Sequence, residues 1–197
     1  MQAMVTPGSP ETSFGGDSAA IVVFTAIDGA LCDHGTGVWR EAQDALALLA
    51  SREIPVVLIS ARPAADVLAL QKQLGLVHPF ICRGGAEVHV PRGYFADLQD
   101  LWPADEAWHL INIGAPEPGR AVRVLTSLFQ SGGETLTVGL GSAWADRLFL
   151  ADVDVPIIVA GHATDEQRLQ RHLPGAYVTT AVGPAGWSEA ILGSAPA

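Results

Sequence analysis

Short apolar runs alternate along the chain with longer segments in which apolar residues recur every three or four positions. The runs predict buried strands and the periodic segments predict helices. The predicted strands begin near residues 21, 56, 80, 86, 108, 135, 156 and 177. The predicted helices cover about 38–52, 63–74, 118–131, 143–151, 165–172 and 184–193. Strands and helices alternating at this spacing indicate an α/β fold with a mostly parallel sheet flanked by helices.

Two of the predicted strands end in polar residues of chemical interest. The first apolar run begins at Ile21 and ends in a turn that contains Asp28 and Gly29, and the second run ends at Ser60. In an open α/β sheet, ligands bind at the carboxyl ends of the strands. We therefore expect both turns to lie at a ligand-binding edge.

Length and composition indicate one globular domain. The chain has 197 residues, of which 49% are hydrophobic and 16% charged, so it can bury a sizeable core. Residues 1–18 are rich in Gly, Ser, Thr and Pro and are predicted to be a disordered leader, with the domain at 19–197. Residues 91–117 form the least regular part of that domain.

The net charge of -10 disfavours nucleic-acid and anionic-membrane partners. No apolar run approaches the ~20 residues of a membrane span, and no signal-like segment opens the chain, so we expect a cytoplasmic protein. Cys32 and Cys82 lack the spacing of a disulfide framework or a zinc site and are predicted to be buried thiols. The six histidines show no ligand spacing either.

The first strand and its turn resemble the opening motif of haloacid dehalogenase-type phosphatases, which is a strand followed by aspartate-x-aspartate-Gly-Thr. Asp28 and Gly29 match this motif, whereas Ala26 stands at the first aspartate and Ala30 at the threonine. Other stretches resemble the mannosyl-3-phosphoglycerate phosphatase branch of this superfamily. These are 33–39 (DHGTGVW), 59–65 (ISARPAA), 74–76 (LGL), 79–82 (PFIC), 85–87 (GAE) and 183–187 (GPAGW).

The resemblance implies a Rossmann-like core that hydrolyses phosphate esters through Mg²⁺ and a phospho-aspartate intermediate. In the family, a cap domain that selects the sugar phosphate lies between the third strand and the lysine-bearing helix. This chain has only the short segment 93–117 there, which we interpret as a vestigial cap. Most of the specificity machinery is therefore expected to be missing.

The resemblance also locates the groups of the reaction, and several are replaced. Phosphoryl transfer to an aspartate needs a carboxylate in line with phosphorus and a cation against the phosphate oxygens. Ala26 occupies the nucleophile position, and Pro118 occupies the position of the family's lysine. Arg120, two residues further on, is a candidate substitute for the lysine charge. Loss of both groups together predicts loss of the reaction.

The metal position is altered in the same way. The resemblance implies that Mg²⁺ is held by the nucleophile carboxylate, by the backbone carbonyl at Asp28 and by an aspartate where this chain has Ser142. The fourth motif, 141–146 (GSAWAD), keeps only Asp146. Mg²⁺ prefers oxygen ligands that include one or two carboxylates, so we expect a weak or absent site.

Each surviving residue has a structural alternative. Asp28 is either the family's acid/base or a turn residue that bonds nearby amides, and we favour the turn. Ser60 either holds a phosphate oxygen, together with the amides at Gly29, or caps the helix that follows. Asp146 is either a metal ligand or, as we favour, a helix residue near the position of the family's catalytic site.

Three functions are compatible with this pattern. The first, which we favour, is a pseudoenzyme that acts in binding or regulation, with a small anion or phosphorylated metabolite as ligand or with a homo-oligomeric or homologous partner. The second is a Mg²⁺-dependent phosphatase with altered or residual activity on a sugar phosphate or phosphoglycerate-type ester. A purely structural subunit is the third, and the sequence does not separate it from the first.

Overall fold

The fold is an eight-stranded sheet with helices packed against it, in a computed structural model that describes residues 20–98 and 107–193. The strands are β1 (Ala20–Ala26), β2 (Val56–Ile59), β3 (Phe80–Cys82), β4 (Glu87–Pro91), β5 (Trp108–Asn112), β6 (Thr135–Gly141), β7 (Val155–Ala160) and β8 (Tyr177–Val182). The helices are α1 (Gln43–Ser51), α2 (Ala64–Leu74), α3 (Pro118–Gln130), α4 (Arg147–Leu150), α5 (Ala163–His172) and α6 (Gly183–Gly193). Short 3-10 turns cover Arg40–Ala42, Arg83–Gly85, Ala96–Leu98 and Trp144–Asp146.

The strand order is β5-β4-β3-β2-β1-β6-β7-β8. The five neighbouring pairs from β3 to β8 in this order are parallel, whereas the β3–β4 and β4–β5 pairs are antiparallel. This arrangement confirms the predicted mostly parallel α/β sheet. β1 pairs with β2 on one side and with β6 on the other, so the chain changes direction across the sheet at β1. In open α/β sheets such a switch point opens a crevice at the carboxyl ends of the strands.

Apolar residues on both faces of the central strands form the core. In β1, the consecutive residues Val22, Val23 and Phe24 are all buried. Both faces of this parallel strand are therefore covered. Trp187 of α6 is fully buried, and its indole N–H donates to Thr25 Oγ1 at 2.9 Å. The hydrogen bond satisfies two polar groups inside the core and ties the last helix to the central strand.

Helix α3 shows the predicted amphipathic pattern most clearly. Ala121, Val122 and Leu125 are buried, whereas Arg120 and Arg123 on the opposite face are exposed. Apolar residues at this spacing form one stripe along a helix. The pattern therefore fixes which face of α3 contacts the sheet.

The segment predicted to be a vestigial cap partly joins the sheet. β5 lies within it and pairs with β4 as the edge strand. The predicted leader at 1–18 and residues 99–106 lie outside the described residues. Neither described range contains a helix with the length and hydrophobicity needed to cross a bilayer.

Candidate active site

A cleft of about 510 Å³ opens at the switch point, where the loops after β1, β6 and β7 meet. Its polar lining includes Asp28, Asp33, His34, His162 and Asp165. Three carboxylates in one cleft give it a negative character. Such a surface accepts hydrogen bonds from hydroxyl or amine groups and repels a free phosphate.

The loop after β1 is folded tightly on itself. The Gly29 N–H donates to the Cys32 carbonyl at 2.8 Å, and the Leu31 N–H donates to the Ala26 carbonyl at 3.3 Å. The Ala26 side chain is buried. The Gly29 amide, which was predicted to hold a phosphate, is therefore engaged within the loop.

The loops after β1 and β6 touch at Gly29 and Ser142. A Cβ atom on Gly29 would lie 2.6 Å from Ser142 Oγ, and Gly29 has a φ of +80°. The same hydroxyl makes a long hydrogen bond, 3.5 Å, to the Asp28 carbonyl oxygen. A side chain at position 29 would be strained by the positive φ and would have to displace the Ser142 hydroxyl, so glycine is favoured there.

The Asp28 side chain forms an ion pair with Arg62, which lies in the loop after β2. The two side chains are 39% and 38% exposed, so the pair is screened by solvent and adds little stability, about 0.2–1 kcal/mol. The pair nevertheless directs Asp28 toward a cation. The sequence prediction favoured a turn residue whose carboxylate bonds nearby amides. The contact with Arg62 is an interaction of Asp28 beyond its own turn.

Ser60 supports the turn that carries Arg62. Its hydroxyl accepts a hydrogen bond from the Arg62 N–H at 3.1 Å, and its own N–H donates to the Ile81 carbonyl at 3.0 Å. The alternative in which Ser60 caps the following helix is wrong, because α2 begins at Ala64 and its N-cap residue is Pro63. Ser60 is buried and does not line the cleft.

Asp146 holds the loop after β6. Its Oδ2 accepts hydrogen bonds from the Ser142 and Ala143 N–H groups, each at 2.8 Å. The pKa of this carboxyl is raised to about 6, chiefly because the group is buried; the two amides oppose this shift, and the nearby carboxylates of Asp165 and Asp28 add to it. Asp146 is not among the residues that line the cleft.

Pro118 and Arg120 also lie outside the cleft lining. Pro118 opens α3, where a residue without an N–H is favourable, and its backbone packs closely on Gly85. A Cβ atom on Gly85 would lie 2.3 Å from the Pro118 nitrogen. Arg120 is exposed and makes no ion pair with any residue in the described ranges.

The donors present where the motif resemblance places the family's magnesium ion do not match its usual ligand set. They are the Asp28 carbonyl oxygen and the Ser142 hydroxyl, while Ala26 offers a methyl group. The remaining motif carboxylate, Asp146, has an oxygen committed to two amides. Mg²⁺ in proteins is usually bound through carboxylates, so this donor set does not fit the ion.

Several cleft residues were not assigned a role from the sequence. Asp33 and His34 lie within the motif at 33–39, and His162 and Asp165 follow β7 as Ser142 follows β6. Arg62, which also had no assigned role, contacts Asp28 from outside the cleft lining. Asp33 Oδ1 accepts from Thr36 N–H at 2.8 Å and Thr36 Oγ1 at 2.7 Å, and these bonds lower the pKa of Asp33. Polar residues directly after each parallel strand were the available signal.

The comparisons with known proteins agree with this fold and motif order. A family model described as haloacid dehalogenase-like hydrolase matches residues 23–117. Over these 95 of its 197 residues the chain is similar to haloacid dehalogenase-like hydrolases. It is also 22% identical, over 87% of its length and 96% of the relative, to glucosyl-3-phosphoglycerate/mannosyl-3-phosphoglycerate phosphatase of Methanococcoides burtonii.

The similar phosphatases differ in how much of this chain they match. The Persephonella marina protein of the same description is 35% identical over 74 residues, which are 38% of this chain and 28% of the relative. The alignment with the Methanococcoides protein runs over 268 positions, whereas this chain has 197 residues. At least 71 residues of the relative therefore have no counterpart in this chain. This chain therefore lacks a substantial part of that phosphatase.

Solved structures with the same fold include two sugar-phosphate phosphatases. Sucrose-phosphatase from Synechocystis, in complex with sucrose and phosphate, has a TM-score of 0.61 at 13% identity and covers 89% of this chain and 98% of its own. The 3-deoxy-D-manno-octulosonate 8-phosphate phosphatase of Moraxella catarrhalis, with magnesium and phosphate, has a TM-score of 0.56 at 18% identity. It covers 88% of this chain and 86% of its own. At these identities the likeness concerns the fold.

Proposed function

We propose that this haloacid dehalogenase-like protein does not form a phospho-aspartate and acts in binding or regulation through the cleft at β1 and β6. The observation that carries the proposal is the buried methyl group of Ala26 at the end of β1. A methyl group has no lone pair with which to attack phosphorus. No adjacent side chain supplies a replacement, since Thr25 is fully buried and bonded to Trp187.

The groups that would assist the reaction support the same proposal. Pro118 cannot supply the cationic amine that neutralises phosphate oxygens, and its contact with Gly85 leaves the helix start tightly packed. Asp28, the family's acid/base, is paired with Arg62. Mg²⁺, expected for the superfamily, is proposed to bind weakly or not at all because the Asp28 carbonyl and Ser142 hydroxyl lack a companion carboxylate.

For the ligand we propose a small metabolite of the sugar-phosphate type, held mainly through its hydroxyl groups. The relatives support the class, since they are phosphatases of sugar-containing esters. The carboxylates of Asp33 and Asp165 support the mode of binding because they accept hydrogen bonds from hydroxyls. A homo-oligomeric or homologous partner stays a prediction.

A phosphatase assay on the purified full chain tests the loss of catalysis. Phosphate release from a panel of sugar phosphates and a phosphoglycerate-type ester is measured with Mg²⁺, and we expect no release above background. Asp28→Asn is the matched control, because release that persists in this variant comes from a contaminating enzyme. Brisk Mg²⁺-dependent release that Asp28→Asn abolishes would instead favour the altered phosphatase, the second candidate that the relatives' names support.

A reversion experiment asks which positions account for the loss. The triple variant Ala26→Asp, Ser142→Asp and Pro118→Lys restores the three replaced groups. Measurable Mg²⁺-dependent release by this variant, and none by the original chain, would assign the inactivity to these positions. No release from a folded triple variant would show that the rest of the cleft has also changed.

A further inference from the structure

Three side chains with metal-binding atoms meet on one face of the sheet, away from the cleft lining. Cys82 ends β3 and lies directly opposite Glu87 in the antiparallel pair of β3 with β4. His89 is two residues beyond Glu87 and therefore points to the same face. Their donor atoms all lie within 4.8 Å of one another. The sequence spacing of cysteine and histidine gave no sign of this cluster.

Two separations within the cluster are close to those between ligands of a tetrahedral zinc ion. Cys82 Sγ lies 3.5 Å from Glu87 Oε2, and His89 Nε2 lies 3.1 Å from the same oxygen. With metal–sulfur bonds of about 2.3 Å and metal–nitrogen or metal–oxygen bonds of about 2.0–2.2 Å, tetrahedral ligand atoms lie roughly 3.3–3.6 Å apart. Small side-chain adjustments would therefore suffice for an ion to enter between them.

The surroundings hold these ligands in place. The His89 ring stacks on Phe80 with ring centres 4.7 Å apart and planes at 3°. Arg83 Nε bonds Glu87 Oε1 at 2.8 Å, which fixes the carboxylate and leaves Oε2 directed at the cluster. Cys82 is fully buried, while the side chains of Glu87 and His89 are 23% and 15% exposed. Access to the cluster is thus from the glutamate and histidine side.

We propose that Cys82, Glu87 and His89 form a zinc site, with the fourth position taken by water or an external ligand. A thiolate, an imidazole and one carboxylate form a donor set that suits Zn²⁺ and does not suit Mg²⁺. As the sulfur–metal bond forms, the Cys82 thiol releases its proton to solvent. This site is separate from the family's metal position at Asp28 and Ser142.

The bound ion would tie β4 to the end of β3. This is where the sheet changes from parallel to antiparallel pairing. A ligand that binds only the folded state stabilises it by an amount that grows with the logarithm of the ligand concentration above Kd. Zinc is therefore expected to stabilise the antiparallel edge of the sheet.

The test is a titration of the metal-free full chain with Zn²⁺, followed by calorimetry, and with Co²⁺ as a spectroscopic probe. We expect one ion per chain, a thiolate-to-cobalt charge-transfer absorption and a rise in Tm with Zn²⁺. Cys82→Ser should abolish the absorption and weaken Zn²⁺ binding at least about a hundredfold, and His89→Gln should weaken it at least about tenfold. Cys32→Ser is the matched control, because Cys32 is the other buried free thiol and should leave the absorption intact.

Two results would overturn the proposal. One is a titration of the folded original chain without a stoichiometric break. The other is a charge-transfer absorption that survives Cys82→Ser and disappears in Cys32→Ser. Far-UV circular dichroism of each metal-free variant verifies folding, and Glu87→Gln provides a third ligand test if Cys82→Ser does not fold.

Discussion

The loops after β1 and β6 and the turn between β3 and β4 lie at the same edge of the sheet but use their polar groups differently. At β6, the Asp146 carboxylate binds backbone amides of its own loop. At the β3–β4 turn, Glu87 accepts hydrogen bonds from Cys82 and His89. The first arrangement stabilises a loop, whereas the second brings ligand atoms together. A surviving motif residue is therefore not by itself a surviving site.

The largest effect that separates the two regions is expected from glycine substitution. In the β3–β4 turn, an alanine at Gly85 would place its Cβ 2.3 Å from the Pro118 nitrogen at a φ of +95°. We expect Gly85→Ala to lower the free energy of unfolding by about 3 kcal/mol or more, because backbone cannot move aside easily. Gly29→Ala should cost about 1–3 kcal/mol, because the atom it meets is a rotatable hydroxyl.

Urea unfolding of both variants measures this difference. Gly75→Ala is the matched control, since Gly75 has a φ of +70° but a Cβ there would meet nothing within 4 Å. It should cost only about 1 kcal/mol, which is the conformational part alone. Equal losses in all three variants would show that close approach does not distinguish the two regions.

A smaller effect is expected from the pH dependence of stability. Burial raises the pKa of Asp146 from 3.8 to about 6, so between these values the folded state binds more protons than the unfolded state. The contribution of Asp146 to the free energy of unfolding should therefore fall as pH rises from about 4 to 6 and level off above 6. Asp146→Asn should remove this component, as measured by urea unfolding at several pH values. An unchanged pH profile in Asp146→Asn would contradict the burial of this carboxyl.

The smallest effect is expected for the ion pair between Asp28 and Arg62. Both side chains are more than a third exposed, so a double-mutant cycle of Asp28→Asn with Arg62→Gln should give a coupling of about 0.2–1 kcal/mol in low salt. The coupling should decrease in high salt because the charges are screened. A coupling well above this range would mean that the pair is a major stabilising element of the cleft.

The fold was largely predictable because apolar periodicity reports burial directly. The run from Ile21 and the stripe of Val122 and Leu125 on α3 both appear as the sequence indicated. The helix predicted over about 38–52 begins instead as a 3-10 turn and becomes α-helical only at Gln43. Helix starts are decided by capping and packing, which periodicity does not report.

The candidate site was less predictable because its contacts join distant residues. Asp28 and Arg62 are 34 positions apart, and the sequence does not state that their loops meet. The contact of Cys82 with Glu87 depends on the register of an antiparallel pair, which a short turn sets in three dimensions. Ser60 and Asp146 each bond backbone amides of their own loops, and those bonds depend on loop conformations that residue patterns do not specify.

Intact-mass spectrometry of the chain during incubation with a phosphate ester and Mg²⁺ tests the central proposal most directly. We expect no mass gain of a phosphoryl group and no phosphate release, because the motif resemblance places the methyl group of Ala26 where the reaction needs a carboxylate. A trapped acyl-phosphate on the chain, accompanied by Mg²⁺-dependent release of phosphate, would contradict it.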